Sequence, residues 1–401
     1  MSIEAEIPYG VYWSTPFCKW QGEFQHLHAL RFAAQVAREE LALRDVPASA
    51  FDFAVLGSTI PQAQCFYGTP WLTALAGLDG ISGPTVAQAC ATGVRAIATA
   101  AGEIALGMAT TALVVTADRT SNGAHLYYPA PGAPGGTGAH ENWVLDNFAC
   151  DPVAGNAMIE TAENVAAKHA IGTAEQHELV LRRYAQYSDA LAADQAFQRR
   201  YMRLPFSVPD ARFARTVGTI AGDAGVTPTS SAALAALRPV RAGGTVTFAA
   251  QTHPADGNAA LVVTTPARAR ELSRDPGVRV RLRGFGQARV AQAYMPEAVV
   301  PAATRALAMA GVGIADLAAV KTHNPFAVND IVFARQTGFP LARMNNYGCS
   351  LIWGHPQAPT GTRAIIELIE ELAQRGGGCG LFSGCAAGDT AMALVVAVDV
   401  A

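Results

Sequence analysis

A layered α/β fold is what this sequence predicts, and three observations predict it. Short, strongly apolar runs alternate with longer segments whose apolar residues recur at helical spacing. Half of the 401 residues are hydrophobic and only 15% are charged, which is ample material for a large buried core. The last third of the chain also repeats the order of elements found in the first, so two α/β halves around a central insertion are expected.

Taken in order, residues 24–44 carry apolar side chains at helical spacing and predict the first helix. FDFAVLG at 51–57 reads as a buried strand, followed by a helix at 70–77, a strand ending near Ala89, a small-residue helix at 91–106 and a strand at 111–117. The stretch 120–160 breaks the alternation. It is rich in Gly, Pro and aromatics and too long for an ordinary connection, as segments that cover a site often are. Residues 160–200 predict helix opened by Thr161, with Asn164 in the first turn and a break at Gly172. Strand character returns at 245–250 and 259–265 around the turn PADGN. Helix near 301–311, strand 317–321, helices 326–336 and 361–374, a glycine run and a strand at 391–399 complete the chain.

Composition excludes several functions. The formal net charge of −3 leaves no broad basic face for nucleic acid and no polybasic patch for a membrane surface. Seven cysteines without a Cys-x-x-Cys pair indicate neither a disulfide framework nor a zinc ribbon, and reduced thiols suit a cytoplasmic enzyme. MSIEAEIPYG lacks the cationic start and apolar core of a secretory signal, and the apolar runs are punctuated before they reach membrane-spanning length. A soluble intracellular protein is expected.

Four segments carry groups able to do chemistry. In VAQACATGVRA, Cys90 lies where a strand gives way to a helix, where unpaired N–H groups and the helix dipole favour thiolate. Small neighbours Ala89, Ala91 and Gly93 leave room for a substrate carbonyl, and the Cys90 N–H can donate to an oxyanion. A small core thiol at a strand end fits the same local features. His355 sits in the Gly/Pro-rich loop of NNYGCSLIWGHPQAPTGTR, suited to project an imidazole into a cavity. Cys385 occupies a small-residue turn between Gly384 and Gly388, which taken alone better suits a buried structural thiol. His323 and Asn324 directly follow a predicted strand, a frequent site position in open α/β sheets.

Together these segments resemble the thiolase family over nearly the whole chain. TPFCKWQG at 15–22, AQACATGVRA, MIETAENVAAKHAIGTAEQHELVLR at 158–182, LRPVRAGGTVTFAAQTHPADGNAALVV at 237–263, the GHP segment and the terminal Cys-x-x-Gly turn follow the family's order. The resemblance implies a layered αβαβα fold of two similar halves. Residues 1–120 with 241–270 would form the first half, 121–240 an inserted loop domain, and 271–401 the second half. It implies acyl transfer on 3-oxoacyl-CoA, by thiolytic cleavage or the reverse Claisen condensation. Cys90 would be the acylated nucleophile, His355 its activating base, and Cys385 the acid/base for the α-proton. His323 would orient a water or the substrate oxygen. The N–H groups of Cys90 and Ala387 would form an oxyanion hole, and Met158, Thr252 and Phe326 would line the CoA channel. CoA would be a cosubstrate, with no metal, redox cofactor, nucleic acid or membrane partner implied and a homodimer or homotetramer expected.

The chain also departs from the family pattern. Gly348-Cys349 replaces a glycine pair, Trp353 an aliphatic residue, Ala358 a glycine and Ala157 a histidine, while Pro359 and Asp389 are added. These changes are expected to reshape the pocket. The aromatics Tyr127, Tyr128, Trp143 and Phe148 suit an acyl-pocket lid or a subunit contact. Two rival readings follow: a β-ketoacyl synthase using Cys90, His323 and His355, and a non-catalytic acyl-CoA-binding relative.

Overall fold

The computed structural model describes residues 3–401. Its main sheet has 11 strands, and eight of them with seven helices frame the site. In chain order these are β1 (Glu6–Pro8), α1 (Ala29–Leu43), β2 (Phe53–Gly57), α2 (Thr92–Ala105), β3 (Thr111–Arg119), α3 (Met158–Lys168) and α4 (Thr173–Gln195). Then come β4 (Ala255–Thr264), β5 (Val278–Arg289), α5 (Val299–Ala310), β6 (Leu317–His323), α6 (Ala327–Thr337), α7 (Ala358–Gln374), β7 (Gly377–Ala386) and β8 (Thr390–Val400).

The sheet runs β6-β7-β8-β5-β1-β4-β3-β2, with the two-residue strand Thr85–Val86 at the β2 edge. Each half pairs two parallel strands, β2 with β3 and β6 with β7, and continues antiparallel into β4 and β8. β1 joins the halves by pairing antiparallel with β4 and β5. Helices α2 and α7 pack against each other between the halves, while α1 covers β3 and β4 and α5 covers β5 and β8 on the outside. Five layers result, helix–sheet–helix–sheet–helix, as the resemblance implied.

Burial explains why the strands read as they do. β3 and β4 are covered on both faces, so their sequences are continuously apolar or small. β5 instead alternates buried and more exposed residues in VRVRLRGFGQAR, with arginines on the wetter face. This strand is absent from the sequence-based assignment, although its period-2 pattern is plain.

Three other expectations change. TVTFAA forms no strand and ends in a single 3₁₀ turn, Phe248–Ala250. PADGN is not a turn: β4 starts inside it at Ala255, and Asp256 accepts from the Ser121 N–H at 2.9 Å. α3 opens at Met158 instead of Thr161, because Glu160 Oε2 accepts the Ala157 N–H at 2.8 Å and caps the turn. Gly172 does separate two helices, and the 120–160 stretch forms the hairpin His125–Tyr128 with Ala139–Asn142 followed by a short helix.

A fully buried ion cluster anchors the middle layer. Arg363 on α7 contacts Asp223 at 2.6 and 2.8 Å and Glu367 at 3.0 Å, and Glu367 also pairs with Lys321 at 3.0 Å. The Arg363 guanidinium packs against both rings of the Phe17–Trp353 pair, 4.7 and 4.5 Å from their centroids. Removing one partner would leave an uncompensated buried charge, so this cluster fixes where α7, and the loop before it, must sit.

Candidate active site

Cys90 stands two residues before the first residue of α2, on a turn whose preceding residue, Ala89, has φ +42°. That conformation is costly for a residue with a Cβ, and strain of this kind collects at functional turns. Thr92 stabilises the turn by accepting the Gln88 N–H at 2.8 Å and donating to the Ala89 carbonyl at 2.7 Å. The space left by Gly93 serves a different purpose from the one expected of it. A Cβ there would lie 2.7 Å from Thr362 N and 2.8 Å from Ala358 O, so the glycine lets α2 meet α7 instead of admitting a substrate.

That close approach brings the His355 loop over Cys90. The sulfur of Cys90 and ring nitrogens of His323 and His355 all lie within 4.8 Å of one another. By ligand type and spacing these three could also hold a soft metal ion. The two imidazoles lie partly stacked, with centroids 4.0 Å apart. His323 Nδ1 is 2.8 Å from Ser350 Oγ, whose own hydrogen is donated to Asn324 Oδ1 at 3.0 Å. The Ser350 oxygen therefore accepts from Nδ1–H, and the lone pair of His323 resides on Nε2. His355 Nδ1 contacts Thr360 Oγ1 at 2.6 Å. Both Nε2 atoms are buried without a hydrogen-bond partner in the protein, a condition that marks a site built to receive another group.

Cys385 lies at the end of β7, fully buried, and accepts from Asn329 Nδ2 at 3.2 Å. It is close enough to Cys90 for the charge of that sulfur to act on it. The Ala387 N–H, in the turn after β7, is directed at the Cys90 sulfur. The residues expected to react are thus brought together from both halves.

Electrostatics correct one expectation. Burial pushes the Cys90 thiol up to about 11, against the pull of the Ala387 and Cys90 N–H groups, so the helix terminus does not make a resting thiolate. Burial lowers His355 to about 3, with Gln357 opposing, and holds His323 well below its ordinary range, helped by neighbouring His355. Cys385 is held well above the usual thiol range by burial and by Cys90. The resting site is an uncharged set of two thiols and two neutral imidazoles.

The channel residues divide. Thr252 Oγ1 donates to the Ser350 carbonyl at 2.5 Å, and the Thr252 N–H donates to Pro325 O at 2.7 Å, so Thr252 braces the His323 side of the site. Gln251 bridges to Phe326, which is buried at the start of α6. Met158 faces a narrow cleft shared with Asp151, Asn156, Thr161, Met295, Gly388 and Asp389, beside the turn that follows Cys385. A separate cavity of about 250 Å³ between α1 and residues 203–216 shares no residue with the site.

Three of the departures are tied into the protein's own framework. Trp353 is buried against Phe17 and Arg363, and Cys349 is buried beneath Asn324 Nδ2 at 3.3 Å. Asp389 accepts the Ala293 and Tyr294 N–H groups at 3.0 and 3.1 Å and so staples the turn after Cys385 to the end of β5. Of the aromatic group, Trp143 donates to Thr59 O at 2.9 Å, while Tyr127 and Tyr128 project from the hairpin at 61% and 48% exposure.

Sequence reasoning missed three contributors. Asn329 holds Cys385, and its signal was an Asn at the third helical position of HNPFAVND. Gln357 accepts from the Cys90 thiol at 3.3 Å. Asp118, buried at the end of β3, accepts from Ser58 Oγ (3.0 Å), Thr59 N and Oγ1 (both 2.8 Å), Ile60 N (3.1 Å) and Ala358 N (2.9 Å). It ties the loop after β2 to the start of α7, close enough to Cys90 for its charge to act on that thiol. Burial raises its carboxyl to about 6 against those hydrogen bonds.

Comparison with known proteins agrees with this geometry. An acetyl-CoA acetyltransferase of Pseudomonas aeruginosa is 28% identical, over 95% of this chain and 96% of its own. A 3-ketoacyl-CoA thiolase of Pseudoalteromonas atlantica is 33% identical over 61% of this chain and 59% of its own. The crystal structure of human mitochondrial 3-ketoacyl-CoA thiolase in complex with CoA superposes with a TM-score of 0.89 at 22% identity, covering 99% of both chains. That of a Bacillus anthracis acetyl-CoA acetyltransferase superposes at 0.88 and 23%, again over 99% of both. The thiolase N-terminal domain model matches residues 13–267 and the C-terminal domain model matches 277–398. With the Cys90 turn in the first match and the imidazoles and second thiol in the other, this chain belongs to the thiolase family.

Proposed function

We propose that this thiolase cleaves 3-oxoacyl-CoA with CoA, or runs the reverse condensation, through an acyl-Cys90 intermediate. The single observation that carries this reading is the convergence of Cys90, His355, His323 and Cys385 on one point, at which Cys90 alone is partly exposed. In the cleavage direction His355 Nε2 takes the Cys90 proton as sulfur attacks the 3-oxo carbon. The bond from C2 to C3 then breaks, and the departing acetyl-CoA enolate takes a proton at C2 from the Cys385 thiol, which its surroundings keep protonated. CoA, the cosubstrate, then gives its thiol proton to the Cys385 thiolate and attacks the acyl carbon, and the Cys90 sulfur leaves as it takes back the proton held by His355. The Cys90 and Ala387 N–H groups serve the thioester oxyanion. His323, whose Nε2 carries a lone pair, acts by accepting from a water that in turn donates to the substrate oxygen.

Met158, Thr252 and Phe326 are read as the wall of the pantetheine channel, and residues 121–240 as the loop domain between the halves 1–120 with 241–270 and 271–401. The exposed tyrosines of the hairpin favour a subunit contact over a lid, in a homodimer or homotetramer. Seven free cysteines support a cytoplasmic setting.

Incubation with acetoacetyl-CoA followed by mass spectrometry tests the reading: an acetyl group on Cys90, released as acetyl-CoA when CoA is added, is expected. An unmodified Cys90 would leave only an acyl-CoA-binding role. The tight Cys90, His323 and His355 cluster favours one second reading, condensation with a malonyl donor that loses CO₂. Comparing a malonyl-carrier protein with acetyl-CoA as donor separates the two, and Cys385 beside Cys90 favours acetyl-CoA.

A further inference from the structure

The Cys90 thiol has a partner that the acyl-transfer chemistry does not use. Its S–H is directed at Gln357 Oε1, 3.3 Å away, while the Nε2 atoms of His323 and His355 make no hydrogen bond among the described residues, although the Gln357 side chain also lies close enough to His355 to favour its protonated form. A thiol has one hydrogen, so a thiol held by Gln357 is not held by an imidazole. Both sides of the contact rest on strained backbone. Ala89, next to Cys90, has φ +42°, and Gln357 is a residue with a Cβ at φ 69°, ψ −105°.

Gln357 is also pinned on either side. The His355 N–H donates to His253 O at 2.9 Å, the Ala358 N–H to Asp118 at 2.9 Å, and the Thr360 N–H to the Gln357 carbonyl at 3.2 Å. The side chain is only 6% exposed. Pinning of this kind holds a side chain in a conformation it would not choose alone.

We propose that Gln357 is a positioning residue that latches the resting nucleophile. Its Oε1 accepts the Cys90 hydrogen, keeps the thiol protonated, and gives way when the acyl donor's thioester enters. An amide oxygen is too weak a base to remove the proton, so Gln357 holds it without taking it. Release needs only a turn about the Cβ–Sγ bond, after which the hydrogen faces His355 Nε2 and proton transfer from sulfur to nitrogen proceeds with no other bond changed. The latch leaves the most nucleophilic atom of the enzyme inert until substrate displaces the amide.

The inference builds on Cys90 as the nucleophile, yet its test needs no acyl-CoA, so the two readings fail separately. Iodoacetamide alkylation of Cys90, located by mass spectrometry and followed against pH, is compared for the wild type, Gln357→Met and Gln357→Glu. Gln357→Met keeps the shape and removes the acceptor. It is expected to alkylate about fivefold faster near pH 8, with its profile displaced to lower pH, as loss of one ordinary hydrogen bond to the thiol form allows. Gln357→Glu keeps an acceptor and adds negative charge, so it is expected to alkylate more slowly than wild type, with a higher profile. Simple loosening of the loop would speed both variants and overturn the latch. A Gln357→Met enzyme no faster than wild type would also overturn it, because the amide would then be donating to sulfur. If circular dichroism finds Gln357→Met unfolded, the Gln357→Glu profile decides alone, and an unchanged profile refutes the proposal.

Discussion

Asp118 offers the most direct test of how the site is held. Its carboxylate is the acceptor for three buried backbone N–H groups, those of Thr59, Ile60 and Ala358, and for the hydroxyls of Ser58 and Thr59. Asp118→Ala would orphan all three amides. At about 1 to 3 kcal/mol for each buried unsatisfied group, a loss of at least about 3 kcal/mol is expected. Asp118→Asn is subtler. Its remaining oxygen can still serve Ser58 and the Thr59 and Ile60 amides, and the Thr59 hydroxyl can turn to accept. The Ala358 N–H would face an NH₂ group and lose its partner. That variant is expected to lose only about 1 to 3 kcal/mol, but its turnover should fall by more than its stability suggests, because Ala358 adjoins Gln357 and the His355 loop. Urea titration followed by tryptophan emission, beside acetoacetyl-CoA cleavage by the same preparations, supplies both numbers. An Asp118→Ala protein within about 1 kcal/mol of wild type would refute the claim that this carboxylate satisfies those amides.

Four further outcomes follow from the same geometry. With the Cys90 thiol raised to about 11, its thiolate fraction and its alkylation rate should climb about tenfold per pH unit through the neutral range; a plateau near pH 7 would contradict the burial argument. Cys385→Ala should still accept an acyl group onto Cys90 from a simple thioester yet lose exchange of the acetyl-CoA α-proton with solvent. Asn329→Leu should slow that exchange by about tenfold or more and leave Cys90 alkylation unchanged, both read by proton NMR in deuterated buffer. Gly93→Ala drives a Cβ to within 2.8 Å of α7 backbone, so a loss of about 1 to 3 kcal/mol with reduced turnover is expected, and an unaltered unfolding midpoint would show that α2 and α7 can part freely.

The layered fold was legible because strands covered on both faces, such as 111–117 and 259–265, leave long apolar runs, and intervening helices carry a 3.6-residue period. β5 escaped notice because its alternation of valine and arginine looks polar when averaged, although each second side chain is buried. The candidate groups of the site were legible for a different reason: each local turn suits a structural thiol or histidine as well, and it is the order of several motifs resembling the thiolase family that singles them out. Their protonation was not, because the effect of the helix terminus can be read from position whereas burial depends on the opposing half of the molecule. Asn329, Asp118 and Gln357 escaped for that same reason. Each acts on a residue dozens or hundreds of positions away, and nothing in its own neighbourhood announces the contact.

The two halves do not merely resemble each other; they supply different reagents to one centre, across 267 positions of chain between Cys90 and Gln357. During synthesis the sulfur therefore emerges long before its histidines, its latch or the second thiol, and until they arrive it behaves as an ordinary cysteine. An isolated first half would be an alkylatable protein without turnover. Mixing it with a separately made second half would restore reactivity only by rebuilding the contact between α2 and α7, which makes complementation of the severed chain a direct measure of how much of the enzyme resides in that seam.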